Sequence, residues 1–101
     1  MREGLTMGQE YRIKVALPSR EDARRICTQA GWGLHVKEGA DGADFHATAP
    51  ASPSEWPEAS LYFEAGGFLI CLHANSDVAR QVFGRVVQMA AGEGVVTVEE
   101  L

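Results

Sequence analysis

Residues 61–74 read LYFEAGGFLICLHA. Two apolar runs, 61–65 and 68–74, flank a pair of glycines at positions 66 and 67. Such an arrangement is typical of two antiparallel strands joined by a two-residue turn. Successive side chains of a strand point to opposite faces of its sheet, so the hairpin predicts one apolar face and one mixed face. With this turn, Tyr62 lies opposite Cys71.

Four further strands are predicted around this hairpin. Residues 11–17, 32–38 and 43–49 alternate between apolar and polar side chains, and residues 95–99 are predicted to form a last strand. This alternation is the pattern of a half-buried strand. Pro18 is predicted to end the first strand, because proline cannot donate a backbone hydrogen bond.

Two connections between these strands have distinct compositions. Residues 39–42, Gly-Ala-Asp-Gly, are a turn signal. If all four form the turn, His35 pairs directly with His46, whereas a tighter Asp-Gly turn leaves the two histidines on a diagonal. Residues 50–60 contain three prolines and are predicted to form a loop.

Two helices are predicted between the strands. Ser19, three residues before Asp22, indicates a helix N-cap, and Gly31 stands where a helix commonly ends. Asn75 or Ser76 indicates the start of the second helix. Each helix has an apolar stripe at helical spacing: Ala23, Ile26, Cys27 and Ala30 in the first, and Ala79, Val82, Phe83, Val86, Val87 and Ala90 in the second.

The order of these elements predicts the fold class. A chain of 101 residues holds one hydrophobic core, so residues 11–101 are predicted to form a single domain and residues 1–10 a flexible N-terminal tail. The order predicts an α+β sandwich of the ferredoxin-like or split β-α-β type, with a mostly antiparallel sheet. Because β-α-β crossovers have one preferred hand, both helices are expected on one face. The pattern leaves the strand order open.

Strand parity assigns the side chains to the two faces of the sheet. The apolar set is expected to face the helices: Trp32, Leu34, Val36, Phe45, Ala47, Leu61, Phe63, Phe68, Ile70 and Leu72. The opposite face, called here the open face, is expected to carry a mixed set: Arg12, Lys14, Ala16, His35, Lys37, Asp44, His46, Thr48, Tyr62, Glu64, Leu69, Cys71 and His73. An apolar group on such a surface indicates that a partner, a ligand or a second copy covers it.

The charge and composition argue against several classes of function. The chain is 46% hydrophobic and 23% charged, which is typical of a folded globular protein. Its formal net charge of −5 argues against nucleic-acid binding, which needs a basic patch. No apolar run approaches the ~20 residues that span a bilayer, so no membrane partner is expected. The two cysteines are far apart and form no CxxC pair, which favours a reduced, cytoplasmic protein.

The three histidines and Cys71 share the open face, and imidazole and thiolate are common metal ligands. Only His35 and His46 are adjacent by the predicted pairing, so we expect neither a metal nor a cofactor. A nucleophilic pair of Cys71 and His73 is not favoured either. Side chains two residues apart on a strand point in parallel and stand about 7 Å apart. No catalytic residue is predicted.

Trp56 stands between two prolines in the 50–60 loop, where it serves either as a binding anchor or as a lid over the edge of the core. We therefore expect a non-catalytic interaction domain, similar in size and charge to small acidic inhibitors and immunity-type proteins, that binds a protein partner or a second copy of itself. The expected binding residues are His35, His46, Trp56, Tyr62, Leu69, Cys71 and His73. The alternative is a small-molecule or enzymatic site on the same face, enclosed by homodimerisation.

Overall fold

The computed structural model describes residues 9–17, 19–52 and 55–101. Within these residues the elements are β1 (Gln9–Lys14), α1 (Arg20–Ala30), β2 (His35–Glu38), β3 (Gly42–His46), β4 (Ala59–Glu64), β5 (Gly67–Leu72), α2 (Asp77–Ala91) and β6 (Thr97–Glu100). The α+β class is confirmed. No helix among the described residues is both long and apolar enough to cross a membrane.

The strands form one sheet in the order β2-β3-β4-β5-β1-β6, and every neighbouring pair is antiparallel. β1 lies between β5 and β6, although α2 is the element that joins those two strands along the chain. The first strand of the chain therefore occupies an interior position, and the β2–β3 hairpin forms one edge.

Both helices begin as the sequence predicts. The hydroxyl of Ser19 accepts a hydrogen bond from the backbone N–H of Asp22 at 3.2 Å. The hydroxyl of Ser76 accepts one from the N–H of Ala79 at 3.1 Å. Each bond satisfies one of the amides that a helix start leaves without an intrahelical partner.

The core lies between the sheet and the helices, which pack together on one face. A single buried cluster combines most of both helical stripes with residues of matching parity from four strands, β1, β3, β4 and β5, and with Val15 just after β1: Ile13, Val15, Ala43, Phe45, Ala59, Leu61, Phe68, Ile70 and Leu72. Phe83, which belongs to the predicted apolar stripe of α2, is only partly buried and packs against this cluster, and the centroid of its ring lies 4.7 Å from that of Tyr11. The fully buried phenylalanines are Phe45 and Phe68.

Two residues that were expected to face the helices are exposed instead. β2 begins only at His35, because residues 31–34 form a turn in which the N–H of Leu34 donates to the carbonyl oxygen of Gly31 at 2.8 Å. Arg85 also donates to the carbonyl oxygens of Ala30 at 3.1 Å and Trp32 at 2.8 Å. Trp32 is consequently 77% exposed. β3 ends at His46, so Ala47 lies in the following loop and is exposed.

The hairpin turn differs by one residue from the predicted one. Glu64 pairs with Gly67, so the turn is Ala65-Gly66 and Tyr62 lies opposite Leu69, not Cys71. Gly67 has a φ of 142°, and a Cβ there would collide with the carbonyl oxygen of Ile13 on β1. This glycine is therefore required inside the strand, where β1 approaches it closely.

The beginning of the domain also differs from its predicted boundary. β1 starts at Gln9, so two residues that were assigned to the tail belong to the sheet. Residues 1–8, the rest of that tail, lie outside the described residues, as does Pro18.

Candidate functional site

The open face carries the polar and mixed side chains that strand parity assigned to it. His35 pairs directly with His46, as predicted for a four-residue turn, and the two rings meet edge-on with their centroids 5.9 Å apart. His73 follows the last residue of β5. The two paired histidines differ in burial, since His35 is exposed and His46 is only 6% exposed.

One half of the open face, around β1 and β6, is a network of ion pairs. Arg12 lies 3.0 Å from a carboxylate oxygen of Glu64 and 3.7 Å from one of Glu99. Lys14 lies 3.7 Å from the same oxygen of Glu99. Leu69 is half-buried between Arg12 and Tyr62 in this register. The charges here have partners within the chain, so this half resembles an ordinary solvated surface.

A buried hydrogen-bonded cluster joins the other half, at the ends of β3, β4 and β5. Ser60 is 1% exposed, and its hydroxyl donates to Asp44 at 2.6 Å and contacts Nε2 of His73 at 2.9 Å. A hydroxyl carries a single proton, so Nε2 of His73 donates to Ser60. Burial lowers the pKa of His73, against the opposing effect of the Asp44 and Glu10 carboxylates.

This Asp-Ser-His cluster does not have the geometry of a nucleophilic triad. In such a triad the histidine accepts the proton of the serine, whereas here Ser60 gives its proton to Asp44 and accepts from His73. The burial of Ser60 also keeps substrate away from its oxygen. The cluster ties three strands together, and the sequence reasoning missed it because Ser60 was assigned to the loop. Continuing the β4 parity from Tyr62 and Glu64 would have found it.

Burial disfavours the thiolate form of both cysteines, which is the form that acts as a nucleophile. Burial, with a contribution from the Glu10 carboxylate 3.8 Å from its sulfur, raises the pKa of Cys71 to about 11. Burial raises the pKa of Cys27 to about 12. The expectation that Cys71 is an exposed contact residue is wrong, because β5 lies in the interior of the sheet and Cys71 is 8% exposed.

No group of three or more histidine, cysteine, aspartate or glutamate side chains among the described residues is placed to hold a metal ion. His73 and Cys71 instead contact Ser60 and Glu10.

Trp56 projects from the loop that joins β3 to β4, of which residues 47–52 and 55–58 are described. Its side chain is 76% exposed, and its ring lies 5.3 Å from that of His73. The backbone N–H of Glu58 donates to Phe45 at 2.7 Å, and Glu58 accepts from the N–H of His73 at 2.9 Å. A lid over the core edge would be buried, so Trp56 is instead an exposed aromatic group on an anchored loop.

A cavity of about 230 Å³, called here the Trp56 cleft, opens between this loop and the open face. It is lined by Lys37, Asp44, His46, Pro50, Glu55, Trp56 and Pro57. Larger cavities exist, including one of about 350 Å³ beside Arg20 and Phe63. In that cavity Arg20 stacks on Phe63 and contacts Asp41 at 3.5 Å. Its aromatic ring and its carboxylate therefore already have a partner within the chain.

The structure therefore gathers His35, His46, His73 and Trp56 at one end of the open face, near the Trp56 cleft. Tyr62 and Leu69 lie opposite each other on the neighbouring strands β4 and β5, and Cys71 is buried in the sheet. Comparison of the chain with protein-family models, with characterised proteins and with solved structures found no significant match.

Proposed function

We propose that the protein is a non-catalytic interaction domain that binds a protein partner through Trp56 and the adjacent open face. The exposed ring of Trp56 carries this proposal. A tryptophan that is 76% exposed presents a large apolar surface to water, and such residues are enriched among the side chains that dominate binding energy at interfaces.

The loop holds this side chain ready for contact. Glu55 accepts a hydrogen bond from the N–H of Ala51 at 2.9 Å, and one side of Trp56 rests against His73. An anchor that is already positioned loses less conformational entropy on binding. With a formal net charge of −5, the protein is suited to a basic partner, in the manner of a small acidic inhibitor or immunity-type protein.

The Trp56 cleft lies beside the β2–β3 hairpin. We propose that β4, β5, β1 and β6, with the two helices, form a ferredoxin-like sandwich, and that the β2–β3 hairpin extends it at the β4 edge. In this description the added hairpin supplies Lys37, Asp44 and His46 to the Trp56 cleft. The site is then built on an addition to the sheet, not on its central strands.

A capture experiment with matched baits tests the proposal. Wild type, Trp56→Ala and Trp32→Ala serve as baits, since Trp32 is equally exposed but follows α1. A partner identified with wild type is then purified and its affinity for each bait is measured. We expect Trp56→Ala to bind the partner about 30-fold more weakly or worse, which is the effect of removing an interface anchor. Trp32→Ala should bind it with unchanged affinity. Equal affinity of all three baits contradicts the proposal.

A small-molecule site on the same face is the second candidate, because the Trp56 cleft contains a buried imidazole. Its volume of about 230 Å³ is below the roughly 300–1,000 Å³ of ligand pockets. A second copy of the chain would have to enclose it further. The cleft by itself is better matched to a single side chain of a partner.

A further inference from the structure

We infer that the Trp56 cleft binds the guanidinium group of an arginine that a basic protein partner presents. This inference rests on the proposed function and specifies the chemistry of the partner. The observations that carry it are a buried imidazole and two carboxylates that have no hydrogen-bond partner and no basic partner, respectively, among the described residues, and an exposed aromatic ring, all lining one cavity.

The imidazole is that of His46. It lines the cleft and is 6% exposed, yet no hydrogen bond joins it to another described residue, and its one ring contact is with His35. Buried polar groups in folded proteins nearly always have a partner, because an unpaired one costs free energy. The cleft is therefore suited to an occupant that forms hydrogen bonds.

The charges of the cleft favour a cation. Asp44 accepts from the hydroxyl of Ser60, and Glu55 accepts from the N–H of Ala51. Among the described residues, neither carboxylate forms an ion pair with a lysine or an arginine. Lys37 lies opposite Asp44 and also lines the cleft. The lining thus has two carboxylates against one ammonium, and the excess of negative charge attracts a cationic side chain.

The ring of Trp56 distinguishes arginine from lysine. A guanidinium is planar, stacks on aromatic faces and donates hydrogen bonds in a fixed fork to carboxylates. An ammonium is a compact, strongly hydrated charge that gains less from a flat surface. With Trp56 exposed on one side of the cleft and Asp44 and Glu55 in its lining, an arginine makes both kinds of contact at once.

The first experiment uses a peptide in place of the partner. A Trp32→Phe protein retains Trp56 as its single tryptophan, and its emission is titrated with an acetylated and amidated Gly-Gly-Arg-Gly-Gly peptide. The matched control peptide carries citrulline, the neutral isostere of arginine. We expect a dissociation constant on the order of millimolar for a single side chain, with the imidazole resonances of His46 shifting at the same concentrations. Citrulline should bind at least about fivefold more weakly.

The second experiment changes the charges one at a time. Asp44→Asn and Glu55→Gln remove a charge but keep an oxygen that accepts the existing hydrogen bond. Each should weaken arginine binding about two- to fivefold, and Lys37→Met should strengthen it by a similar factor. Asp77→Asn, whose side chain is 99% exposed on α2, is the control and should change nothing. Circular dichroism checks that each variant is folded.

Three results overturn the inference. They are equal binding of the citrulline peptide, weaker binding by Lys37→Met, and no change in Trp56 emission at ten times the expected dissociation constant. This inference and the proposed function fail separately. A partner that needs Trp56 but is unaffected by Asp44→Asn and Glu55→Gln contradicts the arginine site alone. A partner that is unaffected by Trp56→Ala contradicts the proposed function.

Discussion

His73 connects the loop to the sheet. Its ring lies against Trp56, its Nε2 donates to Ser60, and its backbone N–H donates to Glu58. Burial lowers the pKa of this ring, and the nearby carboxylates of Asp44 and Glu10 offset that effect only in part. The folded protein therefore binds a proton at His73 less readily than the unfolded chain does.

This difference predicts a loss of stability in mild acid. Above the ordinary pKa of 6.5, His73 is neutral in both states. As the pH falls below that value, the unfolded chain takes up a proton that the folded protein does not, so the free energy of unfolding decreases until the lowered folded pKa is reached. Urea midpoints between pH 7.5 and 5 measure the effect. His73→Gln should flatten the pH dependence, and His35→Gln, at an exposed site, should not.

An unchanged slope in His73→Gln would contradict this assignment. The lowered pKa of Asp22 does not interfere, because an aspartate with a lowered pKa affects stability only below its ordinary value of 3.8.

At the residue scale, parity predicted faces but not burial. It placed His35 and His46 together on the open face, and the structure confirms their pairing. It did not distinguish the exposed His35 from the buried His46, since that difference depends on a proline-containing loop without any periodicity. The cluster at Ser60 was not predicted because β4 begins at Ala59, inside the segment that was assigned to the loop.

At the scale of elements, the hairpin between β4 and β5 shows how tertiary packing selects a turn. Both Gly66 and Gly67 satisfy the local preferences of a hairpin turn. Only Gly67 is confined by β1, because a Cβ there would collide with the carbonyl oxygen of Ile13. Val15, the residue after β1, also donates its N–H to the carbonyl oxygen of Gly66 at 2.9 Å. The neighbouring strand β1 therefore selects the Ala65-Gly66 turn, which shifts the pairing of β4 with β5 by one residue from the predicted register.

The two glycines give a matched pair of alanine variants. Gly67→Ala forces a Cβ into the carbonyl oxygen of Ile13 at a φ of 142°, and we expect a loss of about 2–4 kcal/mol in the free energy of unfolding. Gly66→Ala meets nothing within 4 Å and should stay within about 0.5 kcal/mol of wild type. Urea denaturation measures both. If Gly66→Ala were the more destabilising variant, the turn would be the one the sequence alone predicts.

Element types and helix starts were predictable because their signals are local, such as the capping hydroxyls of Ser19 and Ser76. The boundary at which an element starts or stops was less predictable where it depends on a distant contact. The turn before β2 is held in part by Arg85, which donates to the carbonyl oxygen of Trp32 from a helix 53 residues away along the chain. A contact of that sequence separation leaves no trace in a local pattern, so Trp32 looked like a strand residue with a buried side chain.

At the scale of the whole molecule, the strand order was not predictable, because alternation assigns faces without naming neighbours. The order that forms places β5 and β1 inside the sheet. This position buries Cys71 and half-buries Leu69. Of the open-face residues that could pack against a second copy, Cys71 is therefore covered within one chain and Leu69 is covered in part, whereas Tyr62, at 41% exposure, stays exposed.

The ion pairs of the open face bear on the oligomeric state of the protein. A sheet-to-sheet dimer would have to desolvate the ion pairs of Arg12 and Lys14 with Glu64 and Glu99, which is costly relative to the apolar area that Tyr62 and Leu69 offer. We therefore expect wild type to sediment as a monomer at micromolar concentration. Leu69→Glu should also be a folded monomer by sedimentation and circular dichroism, because Leu69 lies away from the helices.

The matched variant Phe68→Glu tests the parity on which that expectation depends. Phe68 is one residue away but fully buried against the helices, so a charge there should unfold the protein. A wild-type dimer that becomes a folded monomer in Leu69→Glu would make a second copy of the chain the partner of this face. A folded Phe68→Glu beside an unfolded Leu69→Glu would invert the two faces of the sheet. If wild type and Leu69→Glu are both folded monomers, the surface at Trp56 and its cleft is the one through which a different protein binds.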